Sequence, residues 1–127
     1  MENYLFEEFK STSTRFSLVI SLGKAERFYL SSSFCEKYGI LTMSGVKLLY
    51  DKSKNAVGFR FIKDKEDGMI GIKKLDGNSA YINAKAFLGM YDIDAKKYMN
   101  RYHPKEFTDA NNKKIFVIEL KETTDSN

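Results

Sequence analysis

Two stretches of the sequence, residues 27–40 (RFYLSSSFCEKYGI) and 80–93 (AYINAKAFLGMYDI), have the same order of residue types. A unit of this size cannot bury both faces of its strands by itself. We therefore expect two copies to pair around one shared core, as a covalent pseudo-dimer with a pseudo-twofold axis. A phenylalanine, a tyrosine and an isoleucine recur 53 residues apart, namely Phe34, Tyr38 and Ile40, then Phe87, Tyr91 and Ile93.

Alternating apolar residues and turn residues predict the same elements in both copies: two strands, a short helix and two more strands. The predicted fold is therefore α+β and β-dominated, with two similar units sharing a small barrel or sandwich core. We expect an N-terminal docking segment at 1–15, a first unit at 16–62, a polar linker at 63–68, a second unit at 69–120 and a frayed tail at 121–127.

Local signals mark the two short helices. A serine side chain within residues 31–33 can accept a hydrogen bond from a free backbone N–H at the start of the first helix. Gly39 lies where a left-handed C-terminal cap is needed. In the second copy, Asn83 is the expected cap of a helix over 84–91, and a single strand is expected within 101–108.

Residues 23–62 carry a pattern of hydrophobic positions and glycines that resembles the AbrB/MazE/SpoVT group of swapped-hairpin transcription factors. The sequence departs from that pattern at Ser31, where the group usually has proline, and at Asp92, where the second copy lacks a glycine. The matching positions are Arg27, Leu30, Phe34, Tyr38, Gly39, Ile40, Gly45, Val46 and Asp51.

The resemblance implies an interlaced barrel of strands and a non-enzymatic regulator that binds duplex DNA. It also implies that basic residues on the early strand and turn of each unit neutralise phosphates, which releases counterions. By position these residues are Lys24, Arg27, Lys73, Lys74 and Lys85.

Charge and composition set broad limits on function. The chain of 127 residues has 21 Lys and Arg against 17 Asp and Glu, so its net charge of +4 permits an acidic partner without requiring one. Cys35 is the single cysteine, so no intrachain disulfide is expected. No apolar run approaches the length of a membrane helix and no signal peptide is evident, so we expect a cytoplasmic protein that does not bind membranes.

Reaction chemistry has little support. His103 is the single histidine and precedes the single proline, and Cys35 is expected to be a buried thiol. We therefore expect no catalytic residues, no metal site and no cofactor.

Several alternatives stay open. Aromatic residues such as Phe59 and Phe61, or Tyr98 and Tyr102 near Arg101, could stack bases of a single strand. The chain could instead be an interaction or assembly module that binds no nucleic acid, and it could form homo-oligomers. Leu5, Phe6 and Phe9 are expected to dock on the barrel or on another subunit.

Overall fold

Nine antiparallel strands and two α-helices form the fold in the computed structural model, which describes residues 3–6, 18–23 and 25–123. The fold is β-dominated α+β, as predicted. The strands are β1 Ile20–Gly23, β2 Arg27–Leu30, β3 Gly45–Asp51, β4 Ala56–Ile62, β5 Ile70–Lys74, β6 Ala80–Asn83, β7 Asn100–Tyr102, β8 Lys105–Thr108 and β9 Lys114–Glu119, and the helices are α1 Ser32–Tyr38 and α2 Lys85–Met90.

Local chemistry determines where α1 begins and ends. The Ser31 hydroxyl oxygen accepts from the Phe34 N–H at 3.3 Å and also from the Val19 N–H at 3.1 Å. Gly39 ends the helix at φ 61°, a left-handed conformation that glycine adopts without strain. Both predicted caps are therefore confirmed.

The strands form one curled sheet in the order β7-β1-β2-β6-β5-β3-β4-β9-β8. The two edge strands, β7 and β8, are consecutive in the chain and are separated only by His103 and Pro104. So short a connection requires the two edges to lie close together, and the sheet is therefore a half-barrel.

Strands from the two halves of the chain alternate around this half-barrel. The β1–β2 hairpin lies beside β6–β5, which lies beside β3–β4, which lies beside β9–β8. At the contacts between halves, Tyr29 is opposite Tyr81 on β2 and β6, and Phe59 is opposite Phe116 on β4 and β9. Neither half therefore encloses its own interior.

The core lies inside the curl and is rich in aromatic rings. Phe28 packs edge-to-face on Phe59 with ring centroids 4.9 Å apart, and Phe34 packs edge-to-face on Phe116, also at 4.9 Å. Both helices contribute buried side chains, which are Phe34 and Cys35 from α1 and Phe87 and Leu88 from α2.

Two local predictions in the second half were wrong in detail. The N-cap of α2 is Ala84, although the Asn83 side chain still accepts from the Lys85 N–H at 3.1 Å. Residues 101–108 contain the end of β7 and all of β8, which are the two edge strands of the sheet, with His103 and Pro104 between them. Pro104 lacks the N–H that a continuous strand would need, and the chain turns there from one edge to the other.

The N-terminal segment is described only at residues 3–6, where Leu5 is 99% exposed and Phe6 is 86% exposed. Phe9 lies outside the described residues, and docking of this segment stays a prediction. Among the residues that the structure describes, none of the helices has the length and apolar character required to cross a membrane.

Candidate nucleic-acid interface

The outer face of β7-β1-β2-β6-β5 carries a row of side chains that crosses five strands. Strand alternation places Phe28 and Leu30 inside, so Tyr29 faces outward. On β6, Tyr81 is directly opposite Tyr29 and also points outward. We call the complete row the tyrosine row, and in order across the strands it consists of Arg101, Ser21, Tyr29, Tyr81 and Lys73.

The two tyrosines form the centre of the row. Their ring centroids are 6.0 Å apart and the ring planes are tilted by 44°. The Tyr29 ring lies over Gly23, where an added Cβ would be 2.7 Å from the ring carbon Cε2. Gly23 therefore leaves the space that allows the Tyr29 ring to lie flat along the sheet.

Arg27 joins this surface from β2. Its guanidinium carbon lies 4.2 Å from the centroid of the Tyr81 ring, within cation–π distance. Lys73 is paired with Tyr81 from the other side, on β5. The structure therefore brings Arg27 and Lys73 together around one aromatic ring, although they are far apart in sequence.

The remaining predicted contact residues are not part of the row. Lys74 is exposed at the end of β5, but it is paired with the buried Ala80, so strand alternation places it on the face opposite to Lys73. Lys85 begins α2 two residues after Asn83, and Asn83 is paired with Arg27. Lys24 lies outside the described residues, so its position relative to the row stays a prediction.

None of the cations on this surface forms an ion pair with another described residue. Acidic side chains are sparse here, with Glu26 in the β1–β2 turn and Asp76 in the β5–β6 turn. The charge of the row is therefore available to an anionic partner. The ion pairs among described residues lie elsewhere, at Lys47–Glu66, Arg60–Asp109, Lys97–Glu122 and Lys114–Glu106.

Sequence reasoning did not assign Tyr29, Tyr81 or Arg101 to this surface. In residues 27–30 and 80–83, successive side chains of a strand point to opposite faces of the sheet. This alternation was sufficient to predict that both tyrosines face away from Phe28 and Ile82. No local signal could place Arg101, because its position depends on the pairing of β7 with β1.

Two of the four aromatic residues considered for base stacking are buried, and the other two, Phe61 and Tyr98, are half-buried. Phe59 is 0% exposed and Tyr102 is 5% exposed. The Tyr102 hydroxyl donates to the Tyr98 carbonyl oxygen, and burial raises the pKa of Tyr102. Tyr29 and Tyr81, on the outer face of the sheet, are also half-buried, so part of each ring is accessible.

The two residues considered for reaction chemistry lie apart from the tyrosine row. Cys35 is 1% exposed, and burial raises its pKa to about 11, so the thiol is protonated at neutral pH. His103 is exposed in the connection between β7 and β8. Within the described ranges, His, Cys, Asp and Glu side chains form no cluster of three or more that could hold a metal ion.

A second surface, the outer groove, lies on the outer face of β3, β4, β9 and β8 and has a volume of about 750 Å³. Its floor is apolar, and it includes Leu49, Gly58 and Val117 in successive cross-strand pairs. Arg101 lines this groove and also belongs to the tyrosine row, whose centre lies on other strands.

No family model, no curated protein and no solved structure matches this chain.

Proposed function

We propose that the chain is a non-enzymatic, DNA-binding transcriptional regulator of the swapped-hairpin type. The observation that carries this proposal is the tyrosine row together with Arg27. The cations Arg27, Lys73 and Arg101 lie around two half-buried tyrosines and have no ion-pair partners among the described residues. Duplex DNA offers both the phosphates and the base edges that such a surface can contact.

The alternating hairpins support the proposal that the fold is a duplicated swapped-hairpin barrel, with units at 16–62 and 69–120. The Tyr29–Tyr81 and Phe59–Phe116 pairs each join a strand of one half to a strand of the other, and the pseudo-twofold axis of such a barrel would pass through both pairs. The turns after β3 and β8 are also alike, because the Asp51 and Asp109 carboxylates each accept backbone N–H groups two residues further on.

The dimensions of the row suit a DNA groove. Neighbouring strands are about 4.8 Å apart, so Arg101 and Lys73, four strands apart, are separated by at most about 19 Å. The major groove is about 12 Å wide, so residues at the two ends can contact the phosphates on either side of it. Arg27, near the centre, would then face the base edges, where arginine pairs with guanine.

A double charge reversal tests the proposal. Arg27→Glu with Lys73→Glu should abolish detectable binding to duplex DNA in fluorescence anisotropy. The matched control is Lys52→Glu with Lys96→Glu, which makes the same change in net charge at two exposed positions away from the row. Circular dichroism of both variants checks that the fold is retained.

Salt dependence gives a second readout. Each phosphate contact contributes about −0.9 to the slope of log affinity against log salt concentration. The control variant should keep the slope of the parent chain, whereas Lys73→Glu alone, which removes one phosphate contact, should reduce its magnitude by about 1. Equal affinities and equal slopes for the row variant and the control would exclude DNA binding through the tyrosine row.

The second candidate is an interaction or assembly module with the same fold and no nucleic-acid ligand. The apolar floor of the outer groove favours it, since exposed apolar surface on this scale commonly marks a binding site. Retention on duplex and single-stranded DNA at low salt separates the candidates, because an assembly module should show none.

A further inference from the structure

The outer groove lacks a partner in the described chain, and we infer that it binds residues 2–9 of a second copy of this chain. Each copy would place its N-terminal segment in the groove of the other, which gives a symmetric, twofold exchange. This inference does not depend on the proposed DNA binding, because Arg101 is the single described residue that the groove shares with the tyrosine row, and the tests below leave Arg101 unchanged.

The groove floor is formed by apolar side chains that the fold leaves uncovered. Phe107 on β8 is 53% exposed and Leu49 on β3 is 37% exposed, and each is a large apolar side chain facing away from the core. Between them, Gly58 keeps the floor deep, because an added Cβ would lie 3.3 Å from the Ile115 side chain. Such a floor suits aliphatic and aromatic anchors from a peptide.

The rim of the groove is mainly cationic. Glu119 and Asp51 are its acidic residues, and the Asp51 carboxylate already accepts hydrogen bonds from the Ser53 and Lys54 N–H groups in the turn. The net positive charge of the rim predicts an acidic ligand. The basic side chains of the rim are Lys54, Arg101, His103, Lys105 and Lys121.

The N-terminal segment has the complementary chemistry. Residues 2–9, ENYLFEEF, contain three glutamates, no basic residue and four large aromatic or aliphatic side chains. Of those described, Tyr4 is 64% exposed, Leu5 is 99% exposed and Phe6 is 86% exposed. A segment with apolar anchors between acidic residues therefore matches a groove with an apolar floor between basic residues.

The strand at the side of the groove can also pair with an extended segment. β8 is the last strand in the sheet order, so one of its edges has no strand partner among the described residues. An extended peptide can add to such an edge through backbone hydrogen bonds while alternate side chains enter the groove. Phe107, which belongs to β8, would contact those side chains directly.

A second copy is the favoured source of the segment. One chain contains both the N-terminal segment and the outer groove. Leu5 and Phe6 of the segment are exposed, and so is Phe107 of the groove, so neither covers the other within the chain. Residues 10–17 connect the segment to the described residues before β1, and eight residues can extend up to about 28 Å. This length is sufficient to reach a neighbouring molecule.

The first test uses a fluorescent peptide of residues 1–10 and the full chain carrying Leu5→Ser with Phe6→Ser, so that the chain's own segment does not compete. The peptide should bind saturably. Adding Lys54→Glu with Lys105→Glu to the chain should weaken binding about tenfold or more, because two rim charges are reversed. Adding Lys52→Glu with Lys96→Glu instead should have no effect.

A charge swap makes this test specific. A peptide with Glu7→Lys and Glu8→Lys should bind poorly to the parent groove and should regain affinity for the groove with Lys54→Glu and Lys105→Glu. Loss of binding without this rescue would overturn the assignment of the rim as the partner of these glutamates.

The second test is the oligomeric state by analytical ultracentrifugation over a range of concentrations. The parent chain should form dimers, and both the Leu5→Ser/Phe6→Ser and the Lys54→Glu/Lys105→Glu variants should be monomeric. Their mixture should form a heterodimer, since one intact segment and one intact groove remain. A monomeric parent chain would overturn the inference. If the chain were monomeric and the peptide still bound the groove, the segment would dock in the groove of its own chain.

Discussion

Phe59 and Phe116 lie directly opposite each other on β4 and β9, and they are 0% and 4% exposed. One comes from each half of the chain, and each is covered by an edge-to-face ring, Phe28 on Phe59 and Phe34 on Phe116. The contact between halves is therefore part of the core itself, and neither half has a complete interior without the other.

This arrangement predicts a large and similar cost for truncating either ring. Phe59→Ala and Phe116→Ala should each lower the free energy of unfolding by about 3–5 kcal/mol, because a buried aromatic ring is replaced by a cavity. Urea denaturation followed by circular dichroism measures the change. Phe107→Ala is the matched control: its ring is 53% exposed, so it should cost less than about 1 kcal/mol.

Replacing glycine by alanine should change the stability of the protein in opposite directions at Gly39 and Gly89. Gly39→Ala should destabilise the protein by about 1 kcal/mol, since φ is 61° there and an added Cβ is disfavoured in this conformation. Gly89→Ala should stabilise it by about 0.5–1 kcal/mol, because Gly89 lies within α2 and an added Cβ meets no atom within 4 Å. Thermal unfolding of both variants checks the signs, and two changes of the same sign would contradict this explanation.

Acid should remove a stabilising contribution from Asp109. The Lys113 N–H, together with the Asn111 N–H and the Arg60 guanidinium, holds the pKa of this carboxyl below its ordinary value. Because the pKa is lower in the native state than in the unfolded state, the ionised carboxyl stabilises the fold. This contribution is complete at pH values above the unfolded-state pKa of about 3.9, and it disappears as the pH falls through the native-state pKa.

Asp109→Asn should therefore reduce stability at neutral pH, and the difference from the parent chain should shrink below about pH 4. Urea midpoints measured at neutral and acidic pH report this difference. Asp64→Asn is the control, because the Asp64 carboxylate makes no hydrogen bond or ion pair with the described part of the chain. If the stability difference between Asp109→Asn and the parent chain stayed constant with pH, ionisation of the Asp109 carboxyl would be excluded as its origin.

The Cys35 thiol should be unreactive in the folded protein. Burial raises its pKa to about 11, and its Sγ lies 3.8 Å from the Leu30 carbonyl oxygen inside the core. A thiol-specific reagent such as 5,5′-dithiobis(2-nitrobenzoate) should label it at pH 8 only after unfolding in guanidinium. Rapid labelling of the native chain would indicate an accessible thiolate and would revive a nucleophilic role.

Features that depend on neighbours in sequence were predictable. The cap at Ser31, the left-handed Gly39 and the bounds of β2 follow from hydrogen-bonding groups and side chains within a few residues. Arg27 and Lys73 were likewise identified as basic positions of two early strands. Their location around the Tyr81 ring was not predictable, because it requires the register of β2 and β5 on β6.

The sequence by itself determined the strand and helix types, the caps of α1, the turns and the alternation that places Tyr29 and Tyr81 on the outer face, since all of these arise from local propensity. Only the tertiary structure decided that hairpins from the two halves alternate, that Arg101 completes the tyrosine row and that Leu49 and Phe107 line one groove. Strand order and register depend on burial of one shared core, and that burial is a property of the whole chain.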